Sequence, residues 1–276
     1  MPVRLALGGG GVRGAFHLGL LAALKERGVE VSAISGTSAG ALAAAAFAFG
    51  LPLEPGPYLE AVKDPELLKL RRPGRLRAGA ILLRSLRKPY LVPTHRIRKN
   101  LRALFGEARL EEAPIPVTLV AADLLTGEPV YLRRGPVVEA VLASGAIPGV
   151  FPPVRRGKRL LVDGDVVEKV PVFAVKETGE GPVVAVDVAN PGPEPRPKNA
   201  LEAMLTAAEA SKRRLKALAL AEAEVVVRPP LKRRVDTFEL ELADELYALG
   251  RRAGEELADR LRRTRGLGKA KGEEGD

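Results

Sequence analysis

The chain has no cysteine, which excludes disulfides, thiol nucleophiles and thiolate metal sites. It also has no tryptophan, no glutamine, three asparagines and two methionines. Such depletion of thermolabile residues is the pattern expected of a thermophile protein, although a GC-rich genome produces much the same bias. Histidine is scarce, with only His17 and His95 available for the chemistry that usually leans on imidazole. No apolar run approaches the roughly 20 residues that cross a bilayer. The longest, around Ala41 to Phe49, reads as a buried core helix. The sequence opens Met1-Pro2-Val3-Arg4 and enters a strand-like stretch at once, without a charged n-region, an apolar h-region and a cleavage site. The expectation is a cytoplasmic protein with peripheral contact at the inner membrane surface. Between Leu67 and Gly106 there is no acidic residue, while twelve lysines and arginines fall there. Together with a net charge of +10, that stretch favours an anionic partner, whether lipid headgroups or nucleic acid, while charge alone fits a solvated basic face equally well. Nucleic acid is not the expected partner, because charge alone speaks for it and no aromatic platform or recognition motif accompanies the charge.

What is present suits one sizeable domain. A chain of 276 residues, 46% of them apolar, can bury a large core. Val3 to Leu7 reads as a strand, followed by a glycine loop from Gly8 to Gly11 and a helix with Phe16, Leu20, Leu21 and Leu24 at helical spacing. A strand from Val31 to Ser35, a turn and an alanine-rich helix ending by Gly50 follow. This order predicts an α/β layer architecture with a largely parallel sheet. Beyond Pro52 the pattern weakens, and a helix from Thr94 to Phe105 is expected with Thr94 as its N-cap. Further strands are expected at Pro116 to Ala122, Pro129 to Leu132, Arg159 to Val162, Val183 to Val188 and Val225 to Arg228. Helices are expected at Val137 to Ser144, Asn199 to Glu222 and Glu239 to Arg262. Residues 1–262 then form the domain, residues 66–106 a basic cap or insertion, and residues 263–276 a disordered charged tail.

Gly36-Thr37-Ser38-Ala39-Gly40 matches G-x-S-x-G, with a strand before it and a helix after it. At such a turn the serine is presented sharply and the helix N-terminus favours a developing negative charge. Gly8-Gly9-Gly10-Gly11-Val12-Arg13-Gly14 contains G-x-G-x-x-G, but the second strand ends in Ser35-Gly36, without the acidic residue that would bind a dinucleotide ribose. No Gly-Lys-Ser/Thr follows, so a P-loop also fails. The glycine run instead offers unhindered backbone N–H groups suited to an oxyanion. A serine needs a group to take its proton. His95 lies in the basic stretch outside any motif, and His17 sits in a helix where packing or a backbone contact is its expected job. The remaining candidate is a carboxylate. Asp163 ends the apolar stretch Leu160-Leu161-Val162, where α/β folds gather their active sites, although an ordinary Asp-Gly turn looks the same.

In this order the segments resemble the patatin-like phospholipase family, whose motifs run G-x-G-x-x-G, G-x-S-x-G and D-G-G/A. Ala121 to Glu128 and Ala143 to Pro153 are similar to its bacterial members, and the likeness is close from Val3 to about Val172 and looser after Asp236-Thr237-Phe238. The resemblance implies a three-layer α/β/α fold around a mainly parallel sheet. It implies a serine acyl hydrolase cleaving lipid acyl esters through an acyl-Ser38 intermediate, with Asp163 as base and no cofactor or metal. Gly9, Gly10, Gly11, Val12, Arg13 and Gly14 would form the oxyanion hole, and Gly36, Thr37, Ala39 and Gly40 the nucleophile elbow. Arg13 would support the loop, meet a phosphate or make a surface ion pair. Asp165 stands where the family has Gly or Ala, which leaves open which of two carboxylates is the base. An acyltransferase using the same acyl-enzyme, and an inactive relative that binds anionic membrane, are the alternatives.

Overall fold

The computed structural model describes residues 2–70, 85 and 87–270, with backbone alone for 68–70 and 264–270. The first strand, β1 (Val3–Leu7), shows how the layers are made. In a strand successive side chains point to opposite faces. Accordingly Leu5 and Leu7 enter one apolar cluster while Ala6 enters another. The same alternation in β7 (Val183–Val186) sends Val184 and Val186 to the first cluster and Val183 and Ala185 to the second. Both faces are thus covered, which is why these strands are apolar throughout rather than alternating with polar residues.

The sheet runs β5-β6-β3-β2-β1-β7-β8, with β4 also pairing with β3. Here β2 is Val31–Thr37, β3 Val117–Asp123, β4 Pro129–Leu132, β5 Val154–Arg156, β6 Arg159–Asp163 and β8 Val225–Val227. The β3-β2-β1-β7-β8 portion is parallel, whereas β4, β5 and β6 pair antiparallel. The helices are α1 (Ala15–Glu26), α2 (Ala39–Ala48), α3 (Pro55–Val62), α4 (Pro65–Leu70), α5 (His95–Phe105), α6 (Val137–Ser144), α7 (Val172–Lys176), α8 (Ala200–Ala221) and α9 (Ala243–Ala270). A central, mainly parallel sheet flanked by helices is the architecture expected from the order of segments.

Several boundaries differ for local reasons. Thr94 stands at the N-cap position of α5 as expected, but its side chain makes no capping bond. Asn199 does cap α8, its side chain accepting from the Glu202 N–H at 2.9 Å. Strand β2 continues past Ser35 through Thr37, and β7 stops at Val186 rather than Val188. The helices α3 and α4 lie in proline-rich sequence that reads as irregular; Pro55 stands in the first turn of α3, where its missing N–H costs nothing. The last helix begins after a 3-10 turn at Leu240–Leu242 and runs to Ala270, so residues 263–270 are helical and not tail. Residues 271–276 of the expected tail, and 71–84 and 86 of the expected basic cap, lie outside the described residues. Among the described residues no helix is long and apolar enough to cross a membrane.

Candidate active site

Two strands deliver the site by meeting head-on. Leu119 of β3 pairs with Gly36 of β2 and Leu132 of β4, and Ala121 pairs with Val130 of β4 and Asp163 of β6. A strand has two edges, so β2 and β6 must share the edge of β3 that β4 leaves free. Strand β2 runs parallel to β3 and ends with Thr37 opposite Val120; β6 runs antiparallel and ends with Asp163 opposite Ala121. Their C-terminal ends therefore converge in one lane. Gly164 makes the close approach feasible, because a Cβ there would lie 2.4 Å from the Val120 carbonyl oxygen and 3.1 Å from Thr37 Cγ2.

At the junction Ser38 Oγ donates to Asp163 Oδ2 at 2.7 Å. Ser38 has φ 55°, and among the described residues no other non-glycine has a positive φ. A β-carbon in that region costs about 1–3 kcal/mol, so the surroundings must enforce it. Gly36 and Gly40 do so by touching: a Cβ on Gly36 would fall 2.2 Å from the Gly40 carbonyl oxygen, and one on Gly40 would fall 2.1 Å from that of Leu7. The Ser38 N–H is held by Ser144 Oγ at 2.9 Å, and the Ser144 hydroxyl donates in turn to the Val120 carbonyl. Ser144 is buried and was not singled out from sequence, although it lies in the Ala143 to Pro153 stretch; its part depends on a contact 106 residues away.

The glycine loop faces the serine. A Cβ on Gly9 would stand 3.3 Å from Ser38 Cβ. The Gly9 N–H is taken by Lys169 O at 2.9 Å, that of Val12 by Thr237 O at 2.9 Å, and that of Arg13 by Gly10 O at 3.2 Å. The opening N–H groups of a helical turn have no partner inside it. Among the described residues no backbone acceptor takes the Gly10 or Gly11 N–H, so these two, and not the whole Gly9–Gly14 run, are the loop's available donors. Gly14 has a packing task instead, since a Cβ there would meet Ala39 Cβ at 2.7 Å. Arg13 is buried, donating to Val188 O at 2.8 Å and to Val235 O, so it clamps the loop and is not a surface ion pair. His17 is also buried, its Nε2 2.7 Å from Gly8 O. Burial lowers its pKa to about 4, so it stays neutral and donates through Nε2 to that carbonyl. His95 is exposed and lines neither cavity described below.

The two carboxylates are separated by their partners. Asp163 is buried and receives the Asp165 N–H on Oδ1 at 2.8 Å. Burial, and then the negative charge of Asp165, raise the Asp163 pKa to about 7. Burial opposes ionisation of Asp165 as well, but Lys169 and Lys212 outweigh it and hold Asp165 below the usual carboxylate range. Lys169 Nζ sits 2.6 and 2.8 Å from the Asp165 oxygens and Lys212 Nζ 3.4 Å from one of them. Asp163 thus faces the serine and accepts its hydrogen bond, while Asp165 is held by the lysines.

Two cavities of opposite character meet at this point. One, of about 160 Å³, is lined by apolar side chains including Leu18, Leu42, Tyr58, Ile97, Leu101 and Phe151. The other, of about 420 Å³, is lined by Arg13, Lys169, Lys212, Arg213, Lys216 and Arg234 together with Asp163, Asp165, Glu194 and Glu209. Gly11, Ser38, Ile147 and Thr237 border both. Helix α5, from the described part of the basic stretch, contributes Ile97 and Leu101 to the apolar wall. Among the described residues no group of His, Asp and Glu is arranged to hold a metal ion.

A profile of the patatin-like phospholipase family matches residues 5–176. Uncharacterized NTE family proteins of Mycobacterium bovis and Mycobacterium tuberculosis are 35% identical over 205 residues, spanning 74% of this chain and 53% of theirs. The chain thus spans about half the length of these curated relatives. The lysophospholipase NTE1 of Candida glabrata is 29% identical over 195 residues, spanning 68% of this chain and 10% of its own. Among solved structures, VipD from Legionella pneumophila has the same fold, with a TM-score of 0.51 and 16% identity over 94% of this chain and 67% of that one.

Proposed function

The chain belongs to the patatin-like phospholipase family, and from that premise we propose that it is a serine acyl hydrolase acting on lipid esters through a Ser38-Asp163 dyad. The observation that carries the reading is the 2.7 Å Ser38–Asp163 hydrogen bond set where an apolar and a polar cavity meet. Ser38 Oγ attacks the ester carbonyl carbon while its proton passes to Asp163 Oδ2. The carbonyl oxygen, now negative, is received by the Gly10 and Gly11 N–H groups and by the field at the N-terminus of α2. Collapse breaks the C–O bond, and the departing alkoxide takes the proton from Asp163, leaving acyl-Ser38. Asp163 then removes a proton from water, whose oxygen attacks the acyl carbon; the bond from that carbon to Ser38 Oγ breaks, Oγ takes the proton back from Asp163, and the fatty acid leaves.

The cavities orient the substrate. The acyl chain enters the apolar cavity, whose walls are mostly aliphatic and aromatic side chains, and the alcohol departs through the polar one. With six cationic side chains against four carboxylates there, an alcohol bearing phosphate is favoured over a second acyl chain. A single-chain phospholipid meets both conditions, and the name of the Candida glabrata relative points the same way.

Replacement of the two reacting groups tests the dyad. Ser38→Ala and Asp163→Asn are each expected to lower hydrolysis of a single-chain phospholipid by about a thousandfold or more, and His95→Ala to leave it within about twofold. Comparable loss in the His95 variant, or activity surviving in Asp163→Asn, would refute the assignment.

A further inference from the structure

Helix α8 does not behave as a core helix. A surface helix of a globular domain buries an apolar stripe. In α8 only Ala219 and Leu220, at its far end, are buried. Leu201, Met204 and Leu205, at its beginning, are 66%, 70% and 59% exposed. The direction of the helix says where they stand. It follows β7 and returns to the parallel strand β8, so it runs against the strands, and its N-terminal end lies toward their C-terminal, catalytic edge. Lys216 reaches Asp187, the residue just after β7, at 2.9 Å, and Lys212, one turn earlier, reaches Asp165 beside the site. At 1.5 Å per residue, Leu205 and Leu201 lie about 10 and 16 Å farther out than Lys212.

A second apolar projection shares that edge. Strand β3 passes the level of Asp163 at Ala121 and ends at Asp123; Leu124 and Leu125, 49% and 69% exposed, come next. In the sheet β2, whose end leads directly into Ser38, lies between β3 and β7. Exposed apolar side chains therefore flank the nucleophile on both sides. Exposed Arg196 and Lys198 precede α8, and exposed Arg213 and Arg214 follow its apolar tip.

We propose that this edge is a lipid-docking face, on which the N-terminal half of α8 inserts Leu201, Met204 and Leu205 among the acyl chains while Leu124 and Leu125 make a second contact. The proposal rests on the reading of Ser38 as a hydrolase of lipid esters. A lipid surface fits where another occupant fits less well: apolar tips inserted below flanking cations are the pattern of an interfacial helix. The face also adjoins the polar cavity beside Ser38, which Glu209, Lys212 and Arg213 of α8 line, and a protein partner seated there would cover it.

The absence of tryptophan makes the test direct, since one introduced indole is the sole such reporter in the chain. Met204→Trp and Leu218→Trp place it at either end of the same helix, both on exposed positions about 21 Å apart. With vesicles of phosphatidylcholine and phosphatidylglycerol, emission from Met204→Trp is expected to shift to the blue and resist acrylamide, and emission from Leu218→Trp to stay unchanged. The pair Leu201→Glu and Leu205→Glu is expected to lower hydrolysis of vesicle-borne lysophospholipid about tenfold and to leave that of soluble p-nitrophenyl butyrate within about twofold. No vesicle-dependent shift at position 204, equal shifts at both positions, or a shift driven by protein concentration without lipid would overturn the proposal, the last in favour of a second copy of the chain. Failure of the wild-type chain to cleave p-nitrophenyl butyrate would remove the hydrolase reading instead, and the fluorescence would still report on docking.

Discussion

Asp163 has to be ionised to accept a proton, yet its surroundings resist ionisation. Burial acts first, and the charge of Asp165 adds to it, bringing the Asp163 pKa up to about 7. The sign for catalysis follows directly: the rate should rise with pH as Asp163 loses its proton near neutrality, with little activity well below that point. Asp165→Asn removes the repelling charge while Lys169 and Lys212 remain, so both changes favour ionised Asp163. We expect the midpoint of the kcat/KM profile to move down by about one pH unit, with a plateau near that of the wild type. Lys169→Met removes one of the cations that face Asp165 and should move the midpoint the other way. A profile that stays in place in both variants would show that Asp165 serves only as a structural ion-pair partner. At this scale the serine, its glycines and Asp163 could be read from the sequence because each sits in a short contiguous motif. The clamp made by Arg13 was one of three roles the sequence left open, while Ser144 and Lys212 could not be read, because each acts through a residue more than 40 positions away.

The elements show a second use of glycine, in the pairing of α1 with α9. A Cβ on Gly19 would lie 2.1 Å from the Tyr247 carbonyl oxygen, one on Gly250 would lie 2.1 Å from that of Phe16, and one on Gly254 would lie 2.6 Å from that of Leu20. The two helices therefore touch backbone to backbone, and neither can accept a methyl group without moving. Gly250→Ala is expected to destabilise the fold by roughly 1–3 kcal/mol, seen as a lower Tm, with the specific activity of the folded fraction retained. An unchanged Tm would mean that the helices can separate freely. Most strands and the long helices were legible here as apolar stretches set between glycines and prolines, but β5, three residues long with two arginines, was not. Less legible were α3 and α7, one hidden by prolines that its first turn tolerates and the other only five residues long. The exposed half of α8 was read as an ordinary helix, since sequence periodicity cannot reveal that no core awaits it.

For the molecule as a whole, the largely parallel sheet followed from segment order and the helices on both its faces from the family resemblance, whereas the head-on meeting of β2 and β6 depends on three partners sharing β3. Charge acts on the same scale. The net charge of +10 includes twelve basic residues between Leu67 and Gly106, where acidic residues are lacking. We expect this charge to bring the protein to an anionic surface and the apolar edge to hold it there. Each basic residue near such a surface contributes about 1 kcal/mol at most, and the interaction decays over a Debye length of about 10 Å at 0.1 M salt. Co-sedimentation with vesicles should therefore increase with anionic lipid content and fall on raising NaCl toward 0.5 M, where that length is roughly 4 Å. Charge reversal at Arg71, Arg72, Arg84 and Arg87 should reduce binding at low salt and flatten its salt dependence. The Leu201→Glu and Leu205→Glu pair should reduce binding at every salt concentration. Binding indifferent to lipid charge, to salt and to the arginine reversals would assign the basic stretch to a solvated face and leave the apolar edge as the sole membrane contact.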